Sequence, residues 1–130
     1  MAVIVVDASV MIGFFDGADR HHRRAVASLT ASRDASLVLP ASAYAEILVG
    51  PARRGVEAVA VVDEALAALA IHVEPVTREI AHRAAVLRAG HAPLRLPDAL
   101  VLATADVLAA AAVLTADRAW PRISRRARVI

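Results

Sequence analysis

The run Ala2–Val6 places four β-branched residues in a row and stops at Asp7. With no polar residue to face water on either side, it reads as a strand buried on both faces of a sheet. Ser36–Leu39, Ile71–Val76 (cut short by Pro75) and Ala112–Leu114 are further short apolar runs, and Arg128–Ile130 offers a last one. Between them lie segments of helical character. Strands alternating with helices imply right-handed crossovers and a parallel sheet covered on both sides, an α/β fold. In such sheets ligands bind outside the carboxyl ends of the strands, so that edge is where chemistry is expected.

The helices are expected at Ala8–Phe15, ended by Asp16-Gly17, and at Arg20–Ser32, where Ala25, Val26 and Leu29 share a face. Pro40 suits the first turn of the next helix, which carries Ala43, Ile47 and Leu48 and is expected to stop at Gly50-Pro51. Val56–Ala70 should hairpin back on it. Thr77 is a good N-cap for a helix from Arg78 to about Gly90, with Glu79 in its first turn. His91–Leu96 reads as a loop, and Pro97 opens an apolar helix to about Ala110. No repeat, linker or composition shift divides the 130 residues, so one domain spanning 1–130 is expected.

Hydrophobic residues make up 58% of the chain and aromatics only 3%, so aliphatic side chains and Ala must fill the core. There is no Cys, which removes disulfides, thiol catalysis and thiolate metal sites together. The first residues lack a basic region and run straight into Asp7, unlike a signal peptide. The longest apolar stretch, Ala99–Ala116, is broken by Asp106 and is too rich in Ala for a membrane span. A soluble, cytoplasmic protein is the expectation. All 15 basic residues are Arg, whose planar fork suits phosphate; a compositional bias explains the same excess.

Four acids stand apart. Asp7 and Asp117 each end a predicted strand, Asp98 follows Pro97 at the start of the apolar helix, and Glu46 is the lone charge in Ser42–Leu48. Each has an ordinary explanation taken singly: a helix cap for Asp7, a solvated side chain for Glu46, a first-turn acid complementing the helix dipole for Asp98, a turn residue for Asp117. Brought together at one sheet edge they would repel, and burial would worsen it. A hard divalent cation, Mg²⁺ or Mn²⁺, resolves that conflict with oxygen ligands alone. It can also acidify a bound water and hold phosphoryl oxygens.

Val5-Val6-Asp7-Ala8-Ser9-Val10 resembles the opening of PIN domains, and Pro40–Leu48 resembles their second motif. Leu96–Ala105, with Pro97-Asp98, resembles the third, the most specific of the set; Val113–Trp120 resembles the fourth, with Trp120 at a position where Phe is usual. Order, spacing and length together are similar to the VapC toxins of VapBC toxin–antitoxin pairs. The resemblance implies a PIN-like three-layer α/β/α fold with a short central parallel sheet, and an endoribonuclease that needs Mg²⁺ or Mn²⁺. It implies Asp7, Glu46, Asp98 and Asp117 as catalytic and metal-binding residues, with Ser9 and Thr115 supporting them. It further implies hydrolysis of phosphodiester bonds in tRNA or rRNA, a VapB-type antitoxin that neutralises the activity, and a homodimer. The segment His91–Pro97 departs from the family, being apolar with one Arg where small polar residues are common; this bears on substrate preference.

Arg118, Arg122, Arg125 and Arg126 crowd the sequence after Asp117 and are candidates for contact with RNA or with acids of an antitoxin, or form a solvated surface. The five His are scattered or adjacent and read as non-catalytic, Asp16 and Asp19 as turn residues, and Asp106 as too far along its helix to share a metal with Asp98. Phe14, Phe15, Val56, Val59 and Leu66 are candidates for a dimer or antitoxin groove, or for core. A catalytically silent PIN-like module that binds RNA or protein is the alternative function. A haloacid-dehalogenase-type phosphatase is disfavoured, because Ser9 stands where a second Asp is needed and no Lys is present.

Overall fold

The computed structural model describes residues 1–130. In chain order it contains β1 (Val3–Val6), α1 (Ala8–Phe15), α2 (His22–Ala31), β2 (Ser36–Pro40), α3 (Ala41–Arg54) and α4 (Val56–Ala68). These are followed by β3 (His72–Glu74), α5 (Arg78–Gly90), α6 (Leu96–Val107), β4 (Ala112–Thr115), a 3₁₀ turn at Trp120–Arg122, and β5 (Ala127–Val129). The five strands form one sheet in the order β3-β2-β1-β4-β5, and every pairing is parallel.

The chain first moves outward from β1 to β2 and β3, then returns to the other side of β1 to lay down β4 and β5. With right-handed crossovers, that reversal sends the connections to opposite faces of the sheet. It also opens a crevice at the carboxyl ends of β1 and β4, the place where an open α/β sheet receives its ligand. Val5 and Val6 of β1 and Val113 of β4 are wholly buried, as a two-sided strand requires. Val101 and Leu102 of α6 and Ile80 of α5 complete one continuous core with them, and Trp120 is sealed into it with 2% exposure. Gly13 sits where α1 meets α2; a Cβ there would lie 3.4 Å from both the Ala25 and His21 Cβ atoms. The missing side chain lets the start of α2 come in close.

Thr77 caps α5 as expected, its Oγ1 accepting from the Ile80 N–H at 3.1 Å, an arrangement worth about 1 kcal/mol. Some boundaries fall elsewhere. Gly50-Pro51 does not end α3: the helix runs through Pro51 to Arg54, and Gly55 ends it with φ of +124°. Proline deletes one backbone bond and disturbs the turn before it, but packing of α3 on α4 holds the helix together. The Tyr44 hydroxyl adds to that pairing by donating to Asp63 at 2.5 Å. Pro40 closes β2 rather than lying inside α3. Helix α2 starts at His22 instead of Arg20, because Asp19 turns the chain by accepting the His21 N–H. Helices α4 and α6 stop at Ala68 and Val107, each followed by an Ala with positive φ, Ala70 and Ala109. The last strand begins at Ala127, and the 3₁₀ turn was not anticipated. No helix is long and apolar enough to cross a membrane.

Candidate active site

Asp7 leaves β1 at the crevice and is held from behind. Its N–H donates to the Leu114 carbonyl at 2.9 Å, which continues the β1–β4 ladder and sets Asp7 beside Thr115. The Ser9 hydroxyl donates to Asp7 Oδ2 at 2.7 Å, and the Thr115 hydroxyl donates to the same oxygen at 3.1 Å. Each hydroxyl also accepts from the loop after β4: Ser9 Oγ from the Ala116 N–H and Thr115 Oγ1 from the Asp117 N–H, both at 3.0 Å. Two relays thus run from loop backbone through a hydroxyl to one carboxylate oxygen. They lock the Asp7 rotamer and leave Oδ1 without a side-chain donor. Such connected networks specify a single arrangement.

The other acids come from separate elements. Asp98 lies in the first turn of α6, partly buried, with Arg95 Nε 3.7 Å from its Oδ2. Glu46 projects from α3. Asp117 is exposed on the loop after β4, where its Oδ1 accepts the Ala119 N–H at 2.8 Å. Their charges are felt across the crevice. Burial raises the affinity of Asp7 for a proton above the ordinary carboxylate value; the Ser9, Thr115 and Ala8 donors offset part of this, and the Asp98 charge adds to it. Glu46 is raised by burial, then by Asp7 and Asp98, with Arg95 opposing. Asp98 is raised by burial, opposed by Arg95, and raised again by Asp117. The fold therefore draws the four expected acids into one electrostatic neighbourhood.

No three of these groups converge as a closed ligand cage. The donor set is nonetheless all oxygen, and Mg²⁺ normally takes only one or two protein carboxylates and keeps several waters. The Ser42 hydroxyl, one helical turn before Glu46 on the same face, is buried without any partner in the protein. The residues present fit a divalent ion.

A melting experiment checks this electrostatic account. Because the folded state raises the proton affinity of Asp7, Glu46 and Asp98, it binds more protons than the unfolded chain above the ordinary carboxylate range. The stability associated with their neutral forms is thus present in acid and lost as pH rises through the raised values. In EDTA, the melting temperature is expected to carry a downward contribution from these groups as pH rises above the ordinary carboxylate range. Saturating Mg²⁺ or Mn²⁺ should reverse it, raising the melting point more at pH 7 than at pH 5, since metal binds the deprotonated folded site. No metal-dependent shift at either pH would contradict a cation site.

The arginines expected beside Asp117 disperse. Arg126 turns away, donating to the Ala110 carbonyl at 2.8 Å and standing 3.5 Å from Asp106, which also binds Arg83 at 2.8 Å. Asp106 is thus a structural clamp joining α5, α6 and the last loop. Arg122 and Arg125 are exposed, and neither lines the cleft next to Asp117; Arg118 does. That cleft, about 800 Å³, is walled instead by residues from the α1–α2 turn, including His21 and His22, whose place there no local pattern signals. Arg95 and Ser42 were also unforeseen. For Ser42 the four-residue spacing to Glu46 was the available signal; for Arg95 it was the three-residue spacing to Asp98.

Comparison with known proteins follows the same lines. The chain is similar to a toxin–antitoxin complex structure from Klebsiella pneumoniae, at 23% identity and a TM-score of 0.80, covering 97% of this chain and 96% of that one. It is similar to VapBC2 from Rickettsia felis, solved with a DNA fragment from the promoter, at 12% identity and a TM-score of 0.79, covering 98% of each chain. Similarity to Mycobacterium tuberculosis VapC20, described as a sarcin–ricin loop cleaving toxin, extends over 85% of this chain and 86% of that one, at 21% identity and a TM-score of 0.69. Comparison with curated proteins gave no match. At these identities the solved structures speak for the fold, an α/β PIN fold around a parallel five-stranded sheet. The family model for the PIN domain matches residues 4–126, and the chain belongs to the PIN domain family.

Proposed function

We propose that residues 1–130 act as one PIN domain with metal-dependent endoribonuclease activity, the toxin of a VapBC-type pair that inhibits translation by cutting tRNA or rRNA. The observation that carries this reading is the carboxylate neighbourhood at the β1–β4 crevice: Asp7, Glu46 and Asp98, each with raised proton affinity, with Asp117 at its rim. In this reading Asp7, Glu46 and Asp98 hold Mg²⁺ or Mn²⁺, and Asp117 completes the set. When bound, the ion polarises a phosphoryl oxygen and lowers the pKa of water. The chain's own part is positioning. Ser9 and Thr115 fix Asp7 through Oδ2, the α6 N-terminus sets Asp98, and α3 carries Glu46 and Ser42 to the same edge. Nothing here needs a thiol, a lysine or a catalytic histidine.

Protein partners are supported by a second groove. Ile12 and Phe15 of α1, Ile47 and Pro51 of α3, and Val61 and Val62 of α4 line an apolar depression of about 710 Å³. Its Ile12, Phe15 and Val61 are exposed, which is unusual for a contiguous apolar site on a monomer. Of the residues expected to form a groove, Phe15 lines it, whereas Leu66 is buried core and Phe14 packs against the core. A VapB-type antitoxin segment is the occupant we assign, with a homodimer as the assembly and the cytoplasm as the site of action. Expression without an antitoxin is expected to arrest growth, and the Asp98→Asn form to grow normally at equal protein level. Equal arrest by both forms would sink the catalytic reading, and equal growth the toxin reading.

A further inference from the structure

We infer that the cleft between the α1–α2 turn and the loop after β4 is a backbone-phosphate site for single-stranded RNA, in which Arg20, Arg23, Arg24 and Arg118 hold nucleotides to one side of the scissile bond. The inference rests on the ribonuclease reading and adds to it the residues that hold the strand.

Four guanidiniums line the cleft against two carboxylates, Asp19 and Asp117. None of the four is engaged in an ion pair, although other arginines of the chain, Arg83, Arg95 and Arg126, each have an acid partner. Asp19 is already occupied, its Oδ1 accepting the His21 N–H at 2.8 Å. The wall is built, not a chance gathering of exposed side chains. Gly13 admits the start of α2 close against α1, and a nitrogen of the His22 ring, Nδ1, meets the Gly13 carbonyl at 2.8 Å. Arg20 Nε donates to His21 Nε2 at 3.2 Å, which sets the Arg20 fork beside the turn. Arg118 directly follows Asp117, and both line the cleft, so its wall includes one of the four acids.

The chemistry of the lining selects the ligand. Ala116 is the sole apolar residue among the ten that line it. A peptide of any kind would find no pocket for an apolar anchor there, whereas the groove on α1, α3 and α4 offers one. The cleft has no Phe, Tyr or Trp, and its two rings, His21 and His22, are engaged by Arg20 Nε and the Gly13 carbonyl. Guanidiniums free of carboxylate partners suit bidentate contact with phosphate oxygens, and such contacts fix register without reading sequence. This site therefore contributes affinity and register to the cut, and sequence choice resides in other residues.

The test uses the full chain with Asp98→Asn, so that binding is read without cleavage, and a fluorescent single-stranded RNA followed by anisotropy across a salt series. Adding Arg20→Gln, Arg23→Gln and Arg24→Gln should weaken binding roughly tenfold or more near 0.1 M salt. It should also flatten the plot of log K against log salt by about 0.7 for each phosphate contact removed. Arg53→Gln with Arg88→Gln, on other elements, should leave the slope unchanged. An unaltered slope in the triple variant, or an equal change in the control, overturns the inference. So does a triple variant that binds RNA normally but loses an acidic peptide. Restoring Asp98 separates the two readings: an enzyme that cuts RNA with an unchanged slope keeps the ribonuclease and loses the cleft. A chain that binds RNA through these arginines but never cuts it keeps the cleft as a binding site and loses the ribonuclease.

Discussion

Asp98→Asn and Asp7→Asn are each expected to reduce RNA cleavage by about a thousandfold or more while leaving the fold in place, because groups that act as one unit lose most of their effect together when any one is removed. The two should differ in stability. Asp7 is 8% exposed, and burial dominates its raised proton affinity, so its charged form is disfavoured in the fold. Asn keeps an oxygen for the Ser9 and Thr115 hydroxyls and discards the charge. In EDTA at neutral pH, Asp7→Asn should therefore be more stable than the parent by about 0.5–2 kcal/mol, and melt higher, as is common where a site gives up stability for function. Asp98 has Arg95 beside it and more solvent, and its substitution should move the melting point less. Circular dichroism melts and single-turnover cleavage on the same preparations check both halves. Retained cleavage by either variant removes that residue from the mechanism.

Trp120→Ala is expected to be the most damaging substitution outside the acids. The side chain is among the largest that are wholly enclosed, and removing a buried Trp costs about 3–5 kcal/mol in lost contacts and residual cavity. For a chain of this size that amounts to a fall of roughly 10–20 °C in melting temperature. The location adds a second consequence. The Trp120 N–H reaches back to the Asp117 carbonyl at 3.4 Å, and its own carbonyl accepts the Ile123 and Ser124 N–H groups at 2.9 Å each. It anchors the loop that presents Asp117 and Arg118. Trp120→Phe should recover most of the stability and activity, whereas Trp120→Ala should lose activity even below its melting point. A Trp120→Ala protein that melts like the parent would show that the anchor lies elsewhere.

Patterning made the sheet legible because its strands carry their evidence locally. The Val-Ile-Val-Val run of β1 can be covered only on both faces, and the acid that ends it falls at the carboxyl edge whichever neighbours it pairs with. Strand order is a different kind of fact, since nothing within β4 says that it returns beside β1 rather than beyond β3. The boundaries missed were those where tertiary packing overrides a local signal. Gly50-Pro51 breaks a helix in isolation, but here α3 is held against α4 for another turn. Asp7, Glu46, Asp98 and Asp117 are each ordinary residues taken alone and form a candidate site only as a set of four from four elements. Of the basic wall, only Arg118 was a candidate from the sequence; Arg23 and Arg24 lie on α2, a surface helix whose pattern is explained by amphipathicity, and Arg20 in the turn before it. Only the fold reveals that α2 begins beside Asp117. The reverse error arose at Arg126, where nearness in sequence to Asp117 suggested a shared role and Asp106 claims the side chain instead.

The most direct test of the central claim is to incubate purified protein with total RNA in Mn²⁺, in EDTA, and as the Asp98→Asn form, and to sequence the new 5′ ends. A small number of defined cuts bearing 5′-phosphates is expected in Mn²⁺, absent in EDTA and absent with Asp98→Asn. Cuts that persist in EDTA or in the Asp98→Asn form, or the absence of any cut with Mg²⁺ or Mn²⁺, would contradict it and turn the crevice into a site for binding alone.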